Sequence, residues 1–262
     1  MLVLAAAVAA GCGAQEQPAK PVAAPPPPPR AAPEPVRGPA LPSLQEERGC
    51  KGDVAGLGGQ RLAYAAVVER ETVAYEEPGG KRISSFGVLN VNGHATVFGV
   101  HSVVLGPDCK IEWYRVWLPV RPNGTEGYVH ADDVRLMKVP TRITVDLSER
   151  ELVLLRDGEP VLRSSVAIGA PGTPTPTGRY YVNQRLIASD RGGPWGPGAL
   201  GISAFSDVLQ EWIQGGPIAI HGTNDPSSIG HAASHGCVRL PNDVLMKVFN
   251  GADAGTPVII QA

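Results

Sequence analysis

The sequence predicts a mainly β protein in which a proline-rich linker is followed by two β-rich parts. Three observations predict this architecture. Eleven of the twenty-five residues from Pro18 to Pro42 are proline, which favours an extended and solvated chain. Residues 60–138 then consist of short β-branched and aromatic runs separated by turn residues. At Thr141 an alternation of apolar and polar residues begins a second β-rich part.

Residues 1–12 are predicted to direct export. Leu2 to Ala10 is an unbroken apolar run of nine residues, whereas a helix needs about 20 such residues to span a bilayer. The string from Val8 to Cys12 resembles the lipobox of bacterial lipoproteins, in which the cysteine is lipidated. We therefore expect Cys12 to carry a lipid anchor and residues 13–59 to form the linker. The alternative is simple signal cleavage without lipidation.

The charge of the chain argues against nucleic acid as a partner. The formal net charge is −2 and the pI is about 6.3. Phosphate binding requires a clustered basic surface, and the Lys and Arg residues are scattered. No second apolar stretch approaches membrane-spanning length, so a membrane partner is expected only through the amino-terminal anchor.

Residues 60–138 are predicted to form a small β-barrel or sandwich. The predicted strands are residues 62–68, 72–75, 95–104, 113–119 and 128–129. The aromatic residues of the last two runs are expected to fill the core. They are Trp113, Tyr114, Trp117 and Tyr128. The run Trp113 to Pro119, followed by Gly127 to Val134, resembles the closing strands of bacterial Src-homology-3-like barrels. That resemblance implies a domain that binds cell-wall peptides or packs beside the catalytic domain of a wall enzyme.

Residues 141–262 are predicted to form a mainly β domain with one or two short helices. Asp157-Gly158 is a hairpin turn between two apolar runs. The clearer helix begins near Pro241-Asn242-Asp243 and ends at Asn250-Gly251. A weaker helix is predicted between Ser206 and Gln214. The last strand is residues 257–260.

The four cysteines divide by expected role. If Cys12 is lipidated and Cys237 stays free for chemistry, Cys50 and Cys109 remain, and in an oxidising compartment these two can form a disulfide. The alternative is that Cys50 and Cys109 are two separate buried thiols.

The stretch from His221 to Leu240 concentrates groups that carry chemistry. It contains His221, His231, His235 and Cys237. Four interpretations compete, namely a cysteine nucleophile with a histidine base, a zinc site, a structural disulfide and an unreactive buried thiol. His231 and His235 are four residues apart, so zinc binding by both would suit a helix. The three glycines and the proline of this stretch disfavour a continuous helix, and no metal is predicted.

A nucleophilic Cys237 accounts for more of the pattern. A reactive cysteine needs a nearby base or cation, and an exported protein rarely leaves a thiol unpaired without a role. Glycine at Gly236 permits close approach of a substrate, and the amides of Gly236 and Cys237 can bind an oxyanion. The carbonyl of Gly222 is a candidate for orienting the imidazole of His221.

Four segments resemble the L,D-transpeptidase catalytic domain family. They are His221-Gly222-Thr223, Ser234-His235-Gly236-Cys237-Val238-Arg239-Leu240, the stretch from Ile168 to Gly178, and Trp195 to Gly201. The resemblance implies that Cys237 is the nucleophile, His221 the base and Gly222 the residue that orients it. It further implies a role in substrate or oxyanion binding for Thr223, Ser234, His235, Gly236 and Arg239. His231 matches no position of the motif.

The resemblance also implies a function. Such an enzyme forms 3-3 cross-links in peptidoglycan without a cofactor, with a donor tetrapeptide and an acceptor diamino acid amine as partners. We expect a monomer, and the glycine-rich residues 191–201 are our candidate for a lid that keeps water out. The alternatives are an L,D-carboxypeptidase, which gives the same acyl-enzyme to water, and an inactive wall-binding protein.

Overall fold

The computed structural model describes residues 54–262. Cys12 and Cys50 lie outside the described residues, as do the predicted export signal and most of the predicted linker. Within residues 54–262 the chain is mainly β, with eighteen strands and one α-helix, and the predicted fold class is confirmed. No helix in this range has the length and apolar character needed to cross a membrane.

The first sheet is formed by eight strands from the amino-terminal half. They are β1 (Val54–Gly56), β2 (Ala63–Val68), β3 (Thr72–Tyr75), β4 (Arg82–Phe86), β5 (Val97–Leu105), β6 (Ile111–Trp117), β7 (Glu126–His130) and β8 (Val134–Val139). Their order is β4-β3-β7-β6-β5-β2-β8, with β1 added to β5. Strand β1 lies inside the predicted linker of residues 13–59. The sequence did not predict this strand, because it has only three residues and it forms by pairing with the distant strand β5.

Strands β6 and β7 place their aromatic residues on two different faces. Tyr114 is buried in the core of the first sheet, as predicted. Trp113, Trp117 and Tyr128 are only half-buried, because they alternate with buried residues and point to the other face of the sheet. The prediction that all four fill the core is therefore wrong for three of them.

The second sheet also has eight strands, and the change of sheet occurs between Val139 and Thr141. Its strands are β9 (Thr141–Asp146), β10 (Glu151–Arg156), β11 (Glu159–Ser165), β13 (Gly178–Ile187), β14 (Gly198–Phe205), β15 (Pro217–His221), β17 (Val238–Arg239) and β18 (Pro257–Gln261). Their order is β11-β10-β9-β18-β13-β14-β15-β17. The short strands β12 (Ile168–Gly169) and β16 (Ala232–Ser234) pair with each other beside it.

One α-helix, α1 (Asn242–Gly251), covers this second sheet. Its Leu245, Val248 and Phe249 enter the core with residues of β9, β13, β14 and β15. The bounds agree with the helix predicted from Pro241 to Gly251, because the cap residues and the apolar spacing are local signals.

One prediction for this half is wrong, and the segment of another is only partly a loop. Residues 206–214 form no α-helix; the segment is a loop that contains a 3-10 turn, Ile213–Gly215. Gln214, Gly215 and Gly216 have φ of 60°, 77° and 69°, which a right-handed helix cannot accommodate. The predicted lid of residues 191–201 is a loop only in part, because Gly198–Gly201 are buried in β14.

Candidate active site

Cys237 and His221 are brought together by two neighbouring parallel strands. Strand β15 pairs with β17 so that His221 lies opposite Arg239, and Cys237 directly precedes β17. Side chains alternate along a strand, so Cys237, Arg239 and His221 share one face, while Ile220 and Val238 point into the core. The backbone of Ala219 in β15 hydrogen-bonds to the Cys237 sulfur. Cys237 is half-buried and is the free cysteine of the described residues.

His221 is a buried imidazole with one ring nitrogen already engaged. Its side chain is 6% exposed, and its Nδ1 lies 2.6 Å from the carbonyl oxygen of Gly222. Because a carbonyl only accepts, Nδ1 carries the proton and Nε2 is left with its lone pair. Gly222 thus contacts the base as predicted from the sequence.

Burial sets the protonation state of this imidazole. Loss of solvation lowers the pKa of His221 to about 4, the hydrogen bond to Gly222 opposes that shift, and the charge of Arg239 adds to it. The indole of Trp195 covers the ring, with centroids 4.5 Å apart and an interplanar angle of 47°. At neutral pH His221 is therefore uncharged and can accept a proton.

The thiol is also uncharged before substrate binds. Burial raises the pKa of Cys237, while the hydrogen bond from the Ala219 backbone and the positive charge of Arg239 lower it by smaller amounts. A protonated thiol beside a neutral imidazole is an arrangement in which the imidazole can take the thiol proton during an attack by the sulfur, as in general base catalysis.

Ser234 holds the turn that leads into the nucleophile. Its Oγ donates to the carbonyl oxygen of Cys237 at 2.5 Å and accepts from the Gly236 amide at 3.1 Å. The Gly236 amide, which the sequence suggested for the oxyanion, thus already has an acceptor. Gly236 has φ of 114°, and a Cβ there would lie 2.9 Å from Cδ1 of Ile218, so the turn requires glycine.

A second tight contact fixes the Gly222 carbonyl. The Thr223 amide donates to Oδ1 of Asn242, at the start of α1, at 2.8 Å. A Cβ on Gly222 would lie 2.3 Å from that same oxygen and 2.8 Å from Cδ of Pro197. Gly196 and Pro197 pack directly on Gly222, which places Trp195 over His221. Residues 194–197 are thereby held against the site.

Comparison with known proteins agrees with this geometry. Residues 140–260 match the model of the L,D-transpeptidase catalytic domain, the YkuD family. The chain is 33% identical over 122 residues to YkuD of Bacillus subtilis and 35% identical over 122 residues to YkuD of Bacillus licheniformis. Each match covers 47% of this chain and 66% of the relative's length. Residues 140–260 belong to the L,D-transpeptidase catalytic domain family.

A solved structure gives a further match. A crystal structure of an Enterococcus faecium L,D-transpeptidase variant is 26% identical, with a TM-score of 0.36. That match covers 46% of this chain and 49% of the other chain.

Arg239 supplies a positive charge beside Cys237 and His221. Its charge lowers the pKa of both His221 and Cys237, so the guanidinium lies near both groups. Its Nε is buried and has no hydrogen-bond partner among residues 54–262. Such a guanidinium can stabilise a developing thiolate or bind a carboxylate.

The other predicted residues of the transpeptidase domain have different positions. Thr223 is 2% exposed, and its hydroxyl accepts from the Asp225 amide at 3.0 Å, so it shapes a turn. His235 is exposed beside the nucleophile. His231 is exposed too, and its carbonyl accepts from the Ile168 amide.

Cys109 lies in the first sheet, between β5 and β6. It is disulfide-bonded, and its predicted partner Cys50 lies outside the described residues.

Zinc binding finds no support in the described residues. Residues 54–262 contain no group of three or more His, Cys, Asp or Glu side chains placed to hold a metal ion. His231 and His235 are separated by strand β16, so the helix that would align them is absent.

Two aromatic residues of the transpeptidase domain were missed as site residues. Trp195 lies on His221, and Trp212 lies on His235 with ring centroids 5.4 Å apart. Trp195 belongs to a segment whose glycines and prolines were noted, so its sequence offered a signal. The sequence contained no signal for Trp212, because its contact with His235 depends on a loop for which a helix was predicted.

Proposed function

We propose that the protein is an L,D-transpeptidase that forms 3-3 cross-links in peptidoglycan through a thioacyl-enzyme on Cys237. The observation that supports this most directly is the His221 imidazole on the same sheet face as the thiol, with Nδ1 bound to Gly222 and Nε2 left as an acceptor. Membership of residues 140–260 in the family supports peptidoglycan stem peptides as the substrate class.

In the acylation step, Nε2 of His221 removes the thiol proton as the Cys237 sulfur attacks the carbonyl carbon of the third stem residue, a diamino acid. The Cys237 amide is our candidate for the oxyanion donor, since the Gly236 amide is bound to Ser234. Collapse of the tetrahedral intermediate breaks the amide bond, and the leaving D-alanine nitrogen takes the proton from His221. A thioester remains on Cys237.

In the second step the side-chain amine of a diamino acid on another stem attacks the thioester. Its surplus proton passes to Nε2 of His221, the new amide forms, and the proton returns to the Cys237 sulfur as the thioester bond breaks. Hydrolysis by water at this point would give an L,D-carboxypeptidase instead. Trp195 covers His221 and so limits the access of water to the base.

Product analysis tests the proposal. Purified protein is incubated with disaccharide-tetrapeptides, and the products are separated and weighed by mass spectrometry. Cross-linked dimers support the transpeptidase, tripeptides alone support the carboxypeptidase, and wall binding without turnover supports an inactive binding protein. A chelator should leave turnover unchanged.

The nucleophile has a separate test. A carbapenem, a covalent inhibitor class that the family resemblance suggests, should add its mass to the wild type and not to Cys237→Ser. Addition of that mass to Cys237→Ser would assign the nucleophile to another residue.

We further propose that the protein is exported and anchored through a lipid on Cys12. The apolar run and lipobox-like string of residues 2–12 support this. Labelled palmitate should enter the wild-type protein in cells and should not enter Cys12→Ala. Labelling of both proteins, or of neither, would contradict the proposal.

A further inference from the structure

The loop of residues 206–216 reaches from the second sheet to His235. It connects β14 to β15 and is closed at its base by a hydrogen bond from the Ser206 amide to the Gly216 carbonyl, at 2.8 Å. It exposes Trp212 and Ile213, whose side chains are 53% and 82% accessible. The Trp212 ring lies on His235, two residues before Cys237. The loop therefore contacts the segment that leads into Cys237 at His235.

The loop has local hydrogen bonds of its own, among them those from the Val208 and Leu209 amides to Oγ of Ser206 at 3.3 and 3.0 Å and from the Gly215 amide to the Trp212 carbonyl at 2.8 Å. Its regular structure is the 3-10 turn Ile213–Gly215, which is followed by Gly216 in the left-handed region. Large apolar side chains exposed on a short loop gain nothing from burial in their own domain. These local bonds connect the loop to itself, and contacts with the first sheet fix its position on the domain.

Those contacts come from the first sheet. The guanidinium of Arg121, after β6, donates from Nη2 to the carbonyl of Ser206 at 2.7 Å and to the carbonyl of Gly215 at 2.5 Å. It also lies over the ring of Phe205, with Cζ 5.2 Å from the centroid. One charged group thus ties together the two ends of the loop.

Two asparagines of the same sheet add to this attachment. Asn123 exchanges two hydrogen bonds with the backbone of Phe205, at 2.7 and 2.9 Å. Asn92 accepts from Nε2 of Gln214 at 2.9 Å, close to the second end of the loop, and its own Nδ2 donates to Gln184 of β13 at 2.9 Å. Both ends of the loop are therefore held by residues outside the catalytic domain.

We propose that the first sheet is a positioning element of the active site, and that Arg121 acts by holding the 206–216 loop so that Trp212 and His235 form one wall of the groove for the donor stem peptide. Arg121 does not touch the reacting atoms. The inference deepens the proposed function and rests on it for its kinetic part, because the affected quantity is the binding of the donor.

The two strands that carry the nucleophile and its base do not depend on the loop contacts. Cys237 and His221 are fixed by the pairing of β15 with β17 and by Ser234 and Gly222. Loss of the Arg121 contacts should therefore weaken substrate binding and leave the intrinsic reactivity of the thiol unchanged.

The test uses the full chain labelled with 5-fluorotryptophan. The sequence has four tryptophans, so the fluorine spectrum is simple, and Trp212→Phe assigns the resonance of Trp212. Arg121→Ala should shift or broaden that resonance. Arg135→Ala, which removes an arginine of the same sheet that pairs with Glu69, is the matched control and should leave it in place.

Kinetics provide the second readout. Arg121→Ala should raise KM for the donor disaccharide-tetrapeptide by about ten- to a hundredfold, the size of effect that a misplaced binding wall produces, with a smaller change in kcat. Alkylation of Cys237 by iodoacetamide should keep its wild-type rate. Arg121→Lys should be intermediate, since one ammonium can reach one carbonyl at a time. Added guanidinium ion should partly restore Arg121→Ala.

The outcomes separate this inference from the proposed function. An unmoved Trp212 resonance and an unchanged KM in Arg121→Ala would overturn the inference. Absence of turnover in the wild type would instead refute the proposed function, while the fluorine spectrum would still report the loop. If Arg121→Ala loses its native circular dichroism, Arg121→Lys replaces it, because one ammonium reaches one carbonyl at a time and should give the same changes at smaller size.

Discussion

The neutral, buried state of His221 leads to a quantitative prediction about stability. Burial lowers its pKa from 6.5 to about 4 in the folded protein, a difference of about 2.5 pH units that corresponds to about 3 kcal/mol. Between these two values the unfolded chain binds a proton at this residue that the folded protein does not. This contribution to stability is therefore present above pH 6.5, declines as the pH falls, and has been lost by pH 4.

Urea denaturation of wild type and His221→Gln at pH 7 and pH 4 measures this effect. The wild type should lose about 3 kcal/mol more unfolding free energy than the variant between the two pH values. His231→Gln removes an exposed histidine and should follow the wild type. Direct titration of the ring by NMR should place the pKa of His221 near 4.

A pKa of His221 at or above 6.5 would refute the reasoning. It would mean that burial does not disfavour the imidazolium, so the neutral state of His221 would not follow from its position beneath Trp195. Equal losses of stability in wild type and His221→Gln would refute it as well, because the buried imidazole would then contribute nothing to the pH dependence.

Three further substitutions test the site. Arg239→Gln should raise the pKa of both Cys237 and His221, because the nearby positive charge is removed; the pH profile of iodoacetamide alkylation should move to higher pH, and an unmoved profile would contradict this. Gly222→Ala should cost about 1–3 kcal/mol and most of the turnover, because its Cβ would meet Asn242; Gly172→Ala has open space at its Cβ and should behave as wild type in thermal melts and assays. Ser234→Ala should slow carbapenem acylation by about tenfold or more, since the Gly236 amide and Cys237 carbonyl lose their partner; acylation at the wild-type rate would show that the turn holds without it.

The sequence predicted most accurately what depends on neighbouring residues. The bounds of α1 follow from a cap, an apolar stripe and a terminal Asn-Gly, all within a few residues of each other. The hairpin of β10 and β11 follows from Asp157-Gly158, which the structure places with φ of 53° and 87°. The contact of His221 with Gly222 was also foreseen, because the two residues are adjacent.

Misjudged features depend on contacts between distant parts of the chain. The 206–216 segment has helix-like composition, yet Arg121 and Asn123 from the first sheet hold it as a loop. Two of the three aromatic residues of β6, Trp113 and Trp117, point away from the core, because pairing with β7 decides which face is buried. The helix and strand propensities of neighbouring residues do not predict either feature.

The sequence by itself indicated the chemistry that we propose. Cys237, His221 and the glycines around them predict the reaction type, because the proposed catalysis needs those side chains whatever surrounds them. Only the tertiary structure showed the protonation state of His221 and the residues that surround the site. The pKa of His221 follows from burial beneath Trp195, the Gly236 amide is bound to Ser234, and Trp212 reaches His235 through a loop attached to another sheet. Desolvation and packing are properties of three-dimensional neighbours, and residues far apart along the chain supply them.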